Sequence, residues 1–346
     1  MNTKIWSVDK EMKNQDSYPQ IEEASLLLRN QEVVAFPTET VYGLGADATS
    51  EQAVDKIFKA KGRPSDNPLI VHIGDVEQLD SIVAEVSETA REIMKAFWPG
   101  PITLIFPKKG FVAENVTAGL DSVAVRMPSH PVALALLKKA SVPVAAPSAN
   151  LSGKPSPTSA QHVMNDLEGR ISGIVDGGTT GVGLESTVLD CTEDIPVILR
   201  PGGVTKEQLE TLIGEVRVDQ ALKDEKEAPK SPGMKYTHYA PNAPLIIVKG
   251  SEKFLQEQVE YFQKQGKKVG VLTTHENKNS YHADQILTCG YRDKLETVAS
   301  ELYHVLRSFN DYDVDVILSE SFPEHGVGQA LMNRLVKAAG HQFIVQ

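Results

Sequence analysis

Cysteine is nearly absent. Cys191 and Cys289 are the whole supply in 346 residues, and they share no motif. That excludes a disulfide-stapled scaffold and a paired-cysteine zinc site. It fits a reducing, cytoplasmic compartment, with both thiols read as small buried side chains. The nine histidines are scattered and no HExxH stretch occurs, so no tightly held structural metal is expected. No apolar run approaches the roughly 20 residues that span a bilayer. The opening Met1-Asn2-Thr3-Lys4 turns polar at once, without the apolar core of a signal peptide. Cations are the minority charge: 35 Lys and Arg stand against 46 Asp and Glu, a net −11. A general nucleic-acid coat needs the opposite balance, although clustered cations in an acidic protein focus anions into one place. Phosphate-loop motifs are missing as well. Ser152-Gly153-Lys154 comes nearest to a Walker motif, but Pro155 stands where Ser or Thr is required, and no GxGxxG follows a strand.

What is present is an ordinary globular composition, 41% hydrophobic and 23% charged. The length suits two or three domains of roughly 100–200 residues. Helical patterns are predicted over 21–30, 52–61, 76–83, 87–97 and 131–140, with a further helix capped by Thr158 and running to about Leu167. Gly62 sits where a C-terminal cap belongs. Apolar strands are predicted over 31–36, 68–73, 102–106, 123–127, 142–146, 173–175, 187–189 and 197–199, with Thr38 to Gly45 as a turn. Strands and helices mixed this way indicate an α/β or α+β domain with a mixed sheet. The composition shifts near residue 213. Val218 to Pro232 is charged and bounded by proline, the character of a linker. Its continuation, Ser231-Pro232-Gly233-Met234-Lys235-Tyr236-Thr237-His238-Tyr239-Ala240-Pro241, packs Lys, His and two Tyr between prolines. A segment folding back over a site would use them. From Leu245 three apolar strand cores (245–248, 269–273, 314–318) alternate with helical patterns (252–265, 292–309, 327–339), which suggests a small doubly wound parallel sheet.

The chemistry-bearing residues gather where strands end. Lys61 and Arg63 close a helix, where dipole compensation alone would explain them. Asn67 and His72 lie just beyond, and Ser148-Ala149-Asn150 ends another apolar run. Arg126 ends the strand Val123-Ala124-Val125. A buried arginine there needs an anion, either a protein carboxylate or a substrate carboxylate or phosphate. Arg200 follows Val197-Ile198-Leu199 in the same way. Between them, Gly177-Gly178-Thr179-Thr180-Gly181-Val182-Gly183 leads into Glu185-Ser186-Thr187. Such a loop brings backbone N–H groups close to a ligand, or is a hairpin. Four cations (Lys61, Arg63, Arg126, Arg200) at loop–strand junctions, with no serine triad or cysteine nucleophile, suit a polyanion plus a small carboxylate. Nucleotidyl transfer fits, because it needs positioning and charge neutralisation more than a protein nucleophile.

Seven stretches in order, from Phe36-Pro37-Thr38-Glu39-Thr40-Val41-Tyr42-Gly43-Leu44-Gly45 and Lys61-Gly62-Arg63-Pro64 through Asn67–His72, Trp98–Thr103, Val125–Pro128 and Pro147-Ser148-Ala149-Asn150 to Glu185-Ser186-Thr187, resemble the YrdC-type threonylcarbamoyl-AMP synthases. The resemblance covers roughly 15–212. Residues 231–346 resemble the extra C-terminal domain of the long form. It implies a YrdC-like mixed twisted sheet with a concave cationic site over 1–212, a linker or lid over 213–244, and a small Rossmann-like α/β domain over 245–346. The implied reaction joins L-threonine, bicarbonate or CO2, and ATP into threonylcarbamoyl-AMP and pyrophosphate, for the threonylcarbamoyladenosine modification of tRNA. Mg2+ is expected to shield the triphosphate, and the tRNA threonylcarbamoyl-transferase proteins are expected to receive the product. By the same resemblance, threonine falls to Thr40, His72, Arg126, Ala146 and Ser186. ATP falls to Lys61, Arg63, Asn67, Ser122, Ser148, Ser156, Arg200 and Asn242. The Lys-x-Arg and Ser-x-Asn pairs Lys61/Arg63 and Ser148/Asn150 stand as catalytic. Two rival readings are a double-stranded RNA or tRNA-binding module and a carbamoyl-transfer enzyme, although the other parts of the latter are missing here.

Overall fold

The structure, a computed structural model, describes residues 2–10, 18–219 and 238–346. The motif 231–237 therefore lies outside the described residues, while His238 to Pro241 lie within them. The described chain divides into two compact units. Gly153–Ser156 and Val182–Leu184 group with the second, and the rest up to residue 219 forms the first.

The first unit runs β1 (Lys4–Ser7), α1 (Pro19–Arg29), β2 (Val34–Phe36), β3 (Gly43–Asp47), α2 (Glu51–Lys61), β4 (Ile70–His72), α3 (Leu79–Ile82), α4 (Glu88–Phe97), β5 (Ile102–Pro107), α5 (Glu114–Thr117), β6 (Ser122–Arg126), α6 (Pro131–Ala140), β7 (Val144–Ala145), α7 (Ala160–Leu167), β8 (Gly173–Asp176), β9 (Thr187–Asp190), β10 (Val197–Arg200), α8 (Lys206–Ile213) and β11 (Arg217–Val218). Its strands join in one mixed, twisted sheet of order β1-β8-β2-β3-β7-β4-β6-β5-β9-β10-β11. β11 pairs with β10, so this sheet continues past residue 212.

Alternation along the strands decides what each face buries. On one face Val71, Val123, Val125, Ile102, Leu104, Leu189 and Ile198 meet α2, α4, α7 and α8 in the main core. On the other face, Val34, Phe36, Val144 and Ala146 are covered by α1 and α6. Further along that face lies a small apolar floor of Ile70, Ile105, Ala124, Val188 and Leu199. The polar residues of the site rise beside this floor.

Several local expectations change. Gly43–Asp47 is a strand and not a turn, because its neighbours crowd it. A Cβ on Gly45 would lie 2.7 Å from a Phe36 ring carbon and 2.8 Å from Val144 Cγ1, so glycine is a packing requirement there. The cap of α7 is Ser159, whose Oγ accepts from His162 N–H at 3.3 Å; the Thr158 N–H instead donates to His162 Nδ1. The glycine-rich stretch 177–183 is not a hairpin: β8 pairs with β1 and β2, and β9 with β5 and β10.

The second unit holds β12 (Leu245–Lys249), α9 (Glu252–Lys264), β13 (Val269–Thr273), β14 (Gln285–Thr288), α10 (Leu295–Ser308), β15 (Val316–Glu320), α11 (Val327–Ala338) and β16 (Phe343–Val345). All its strand pairs are parallel, in the order β14-β13-β15-β12-β16. The three expected strands are there with two more, β14 and β16, on the edges. Of all described helices, none is long and apolar enough to cross a membrane.

Candidate active site

β4 and β6 lie side by side in parallel, with His72 opposite Arg126. Both side chains project from the face that carries the apolar floor, since Ile70 and Ala124 two residues earlier belong to that floor. Both are buried. Arg126 Nη2 donates to Glu39 Oε1 at 2.5 Å, Nη1 to Thr40 Oγ1 at 2.8 Å and Nε to the Gly100 carbonyl at 3.4 Å. Glu39 is fixed in turn, its Oε2 accepting from Ser129 N–H at 3.1 Å. The anion that Arg126 needs is thus supplied within the protein. A guanidinium has five N–H donors. Three are used, which leaves one on each terminal nitrogen.

His72 Nδ1 lies 3.2 Å from the Ile70 carbonyl, to which it can only donate, so Nε2 carries the lone pair. Burial, then the nearby Arg126 charge, lowers its pKa to about 3. The imidazole is neutral at physiological pH. The Phe36 ring meets it edge-on at 6.1 Å. Ala146 sits on the neighbouring strand side, its N–H donating to the Ile70 carbonyl at 2.9 Å.

Across β5 and β9, Thr103 and Ser186 share a hydroxyl hydrogen bond of 2.7 Å. Arg200 donates to the Ser186 carbonyl from Nε (3.1 Å) and Nη2 (3.0 Å), and to Ser186 Oγ at 3.2 Å. It reaches them because β10 carries an irregularity. Ile198 pairs with Leu189, but Arg200 pairs with Val188. The extra residue, Leu199, turns Arg200 onto the site face, the re-aiming that a bulge provides.

The second cluster is built at the end of α2. The Gly62 N–H reaches the Lys59 carbonyl and the Arg63 N–H the Phe58 carbonyl (3.3 and 3.0 Å), with Gly62 left-handed at φ 64°. This paired closure fixes where Lys61 and Arg63 stand. Lys61 is buried, and its Nζ donates to the carbonyls of Ser148 (2.5 Å) and Asn150 (2.8 Å). Ser148 is bridged to Gly43. Asn67 is wholly buried, yet neither its amide oxygen nor its nitrogen has a partner among the described residues. Such a group asks for a ligand. Ser122 is half-buried at the start of β6, on the face of Ala124 and Arg126.

A family model described as "Telomere recombination", covering the Sua5, YciO and YrdC proteins, matches residues 26–202. A second, described as "Threonylcarbamoyl-AMP synthase, C-terminal domain", matches 204–340. The threonylcarbamoyl-AMP synthase of Bacillus subtilis (strain 168) is 59% identical over 345 residues, which is 99% of this chain and 100% of the relative. The chain belongs to the threonylcarbamoyl-AMP synthase family. The Pyrococcus abyssi member is 50% identical over 326 residues, covering 93% of this chain and 94% of that one. The crystal structure of P. abyssi Sua5 complexed with L-threonine superposes with a TM-score of 0.94 at 48% identity, covering 99% and 100% of the two chains.

In this threonylcarbamoyl-AMP synthase family member, two expected residues are grouped with the second unit. They are Ser156, which is buried, and Asn242, which is exposed with its N–H on Asn310 Oδ1 at 2.8 Å. Sequence reasoning missed roles for Glu39 and Thr103. The signal for Glu39 was present, a carboxylate between two threonines in the turn after a buried strand.

Proposed function

We propose that this chain is an L-threonylcarbamoyladenylate synthase, forming threonylcarbamoyl-AMP and pyrophosphate from L-threonine, bicarbonate or CO2, and ATP. The carrying observation is the buried Arg126 fork, anchored on three sides and holding one donor on each terminal nitrogen. That is the geometry a planar carboxylate takes. Threonine is assigned to Thr40, His72, Arg126, Ala146 and Ser186. The neutral His72 offers Nε2 as an acceptor to the threonine amine or hydroxyl. The nucleotide is assigned to Lys61, Arg63, Asn67, Ser122, Ser148, Ser156, Arg200 and Asn242, with Lys61, Arg63, Ser148 and Asn150 nearest the chemistry.

The amine attacks CO2, forming the C–N bond and releasing a proton to solvent. A carbamate oxygen then bonds to the α-phosphorus as the bond to pyrophosphate breaks. The residues contribute position and charge, with no covalent intermediate on the protein. No group of three His, Cys, Asp or Glu able to hold a metal occurs among the described residues. Mg2+ is assigned to the triphosphate it shields, entering as magnesium–ATP. The product is handed to tRNA threonylcarbamoyl-transferase proteins in the cytoplasm. The test is mass spectrometry of the adenylate made from ATP, threonine and 13C-bicarbonate. Labelled threonylcarbamoyl-AMP is expected; an unlabelled threonyl adenylate would overturn the reading.

A further inference from the structure

The second unit holds a crevice of about 310 Å³ that the proposed chemistry does not use. It opens beyond the carboxyl ends of β12 and β15, which are neighbours in the sheet. From β12 the chain leaves toward β13 on one side; from β15 it leaves toward β16 on the other. Ligands of open parallel sheets bind outside such a reversal point. The volume falls within the range of small-molecule sites, about 300–1,000 Å³.

The floor is a built charge cluster. Glu320 is 4% exposed. Its Oε1 accepts from Thr273 Oγ1 (2.7 Å), Tyr281 OH (2.7 Å) and Asn277 Nδ2 (2.9 Å), and its Oε2 from Arg292 Nη2 (2.8 Å). Burial works to raise the pKa of this carboxyl, but the donors together hold it below its ordinary value. Arg292 also donates to the Ser321 carbonyl at 3.1 Å and lies 5.2 Å from the Phe322 ring centroid. All its side-chain bonds to described residues come from one nitrogen. Nε and Nη1 remain as donors on a guanidinium that is held still and lines the crevice. Three donors fill Oε1 of Glu320 and Arg292 takes Oε2, so Arg292 Nε and Nη1 are the donors that the floor keeps for a ligand. The wall is the tight entry to α9. A Cβ on Gly250 would lie 2.7 Å from a Phe254 ring carbon and 2.9 Å from Gln346 Oε1. Glu252 also lines the crevice, with its Oε2 taken by Ser280 Oγ at 2.8 Å.

We propose that this crevice binds the phosphate of a small, nucleotide-sized phosphate ester through Arg292, with the first turn of α9 as the second contact. A phosphate ester carries three free oxygens spread tetrahedrally, so two can face the guanidinium while the third faces the first turn of α9. The site is independent of catalysis and stands or falls separately from it.

Hydrogen exchange on the full chain tests it, with AMP, pyrophosphate, adenosine and L-threonine as probes. AMP is expected to protect residues 250–255 and 320–322, and adenosine is not. Equal protection by pyrophosphate also supports the site and names a free phosphate as its source. Equal protection by adenosine, protection by threonine alone, or none by AMP at concentrations that protect the first unit would overturn it. Arg292→Gln is expected to weaken AMP protection of 250–255 at least about tenfold, the scale of a charge-assisted hydrogen bond, while the KM for ATP stays unchanged. Unaltered protection in that variant contradicts the assignment.

Discussion

Arg126 is the residue assigned, as a proposal, to the threonine carboxylate. Two charge-assisted bonds to a carboxylate are at stake, each worth roughly 1.5–3 kcal/mol. Arg126→Ala is therefore expected to raise the threonine KM by at least about 100-fold and the ATP KM far less. Equal effects in steady-state kinetics would remove the carboxylate from Arg126. Glu39→Gln keeps the shape and loses the charge that orients the fork. A smaller rise in threonine KM with little change in kcat is expected; a change confined to the ATP KM would contradict a positioning role. Lys61→Ala is expected to lower turnover at least about 100-fold with the fold intact by circular dichroism, since the proposal makes it a fixed charge near the phosphates. Wild-type turnover would take Lys61 out of the site.

Two histidines also set a pH dependence of stability. The pKa of His72 is lowered to about 3, by burial first and then Arg126. That of His130 is lowered to about 4, by burial and then Lys10. Unfolded histidine titrates near 6.5, so between that value and the folded ones the unfolded state binds more protons. Stability therefore falls as pH drops through this window, by up to about 1.4 kcal/mol per pH unit for each group. Denaturant titrations at pH 7 and pH 5 check this, and His72→Gln is expected to flatten the slope. A slope unchanged by that substitution would contradict the buried neutral imidazole.

At the scale of elements, the strand ends hold the site by packing. A Cβ on Gly202 would lie 2.3 Å from both Ser186 C and Thr187 N, which are backbone atoms that cannot give way cheaply. Gly202→Ala is expected to push back the Ser186 segment that Arg200 grips, costing roughly 1–3 kcal/mol of stability and raising both substrate KM values. A variant with wild-type kinetics and melting would show that segment to be tolerant. Much of this layer was legible in the sequence. α2, β13 and α6 stand where their apolar periods put them, and Gly62 is the expected cap. The elements that went unseen have little buried surface to leave a pattern. β1 buries only Trp6, β14 is half-buried throughout, and α8 buries only Leu209. The Leu199 irregularity leaves no mark either, because Val197-Ile198-Leu199 reads as one continuous apolar run. The proposed site residues stand out as motifs, but the pairing of Glu39 with Arg126 depends on contacts 87 residues apart. No local pattern encodes that distance.

At the scale of the whole molecule, the two units have separate cores. Two of the residues assigned to the nucleotide, Ser156 and Asn242, belong to the second. Ending the chain after residue 219 keeps β11 and α8, so the first unit is expected to fold while losing most of its activity. Full activity in the truncated protein would reduce the second unit to a passenger in the reaction. The central claim is adenylation of a carbamate, and pyrophosphate release from ATP tests it most directly, with threonine and bicarbonate each left out in turn. Release that requires both is the expected result. Release with threonine alone in carbon-dioxide-free buffer, or no release at all, would contradict it.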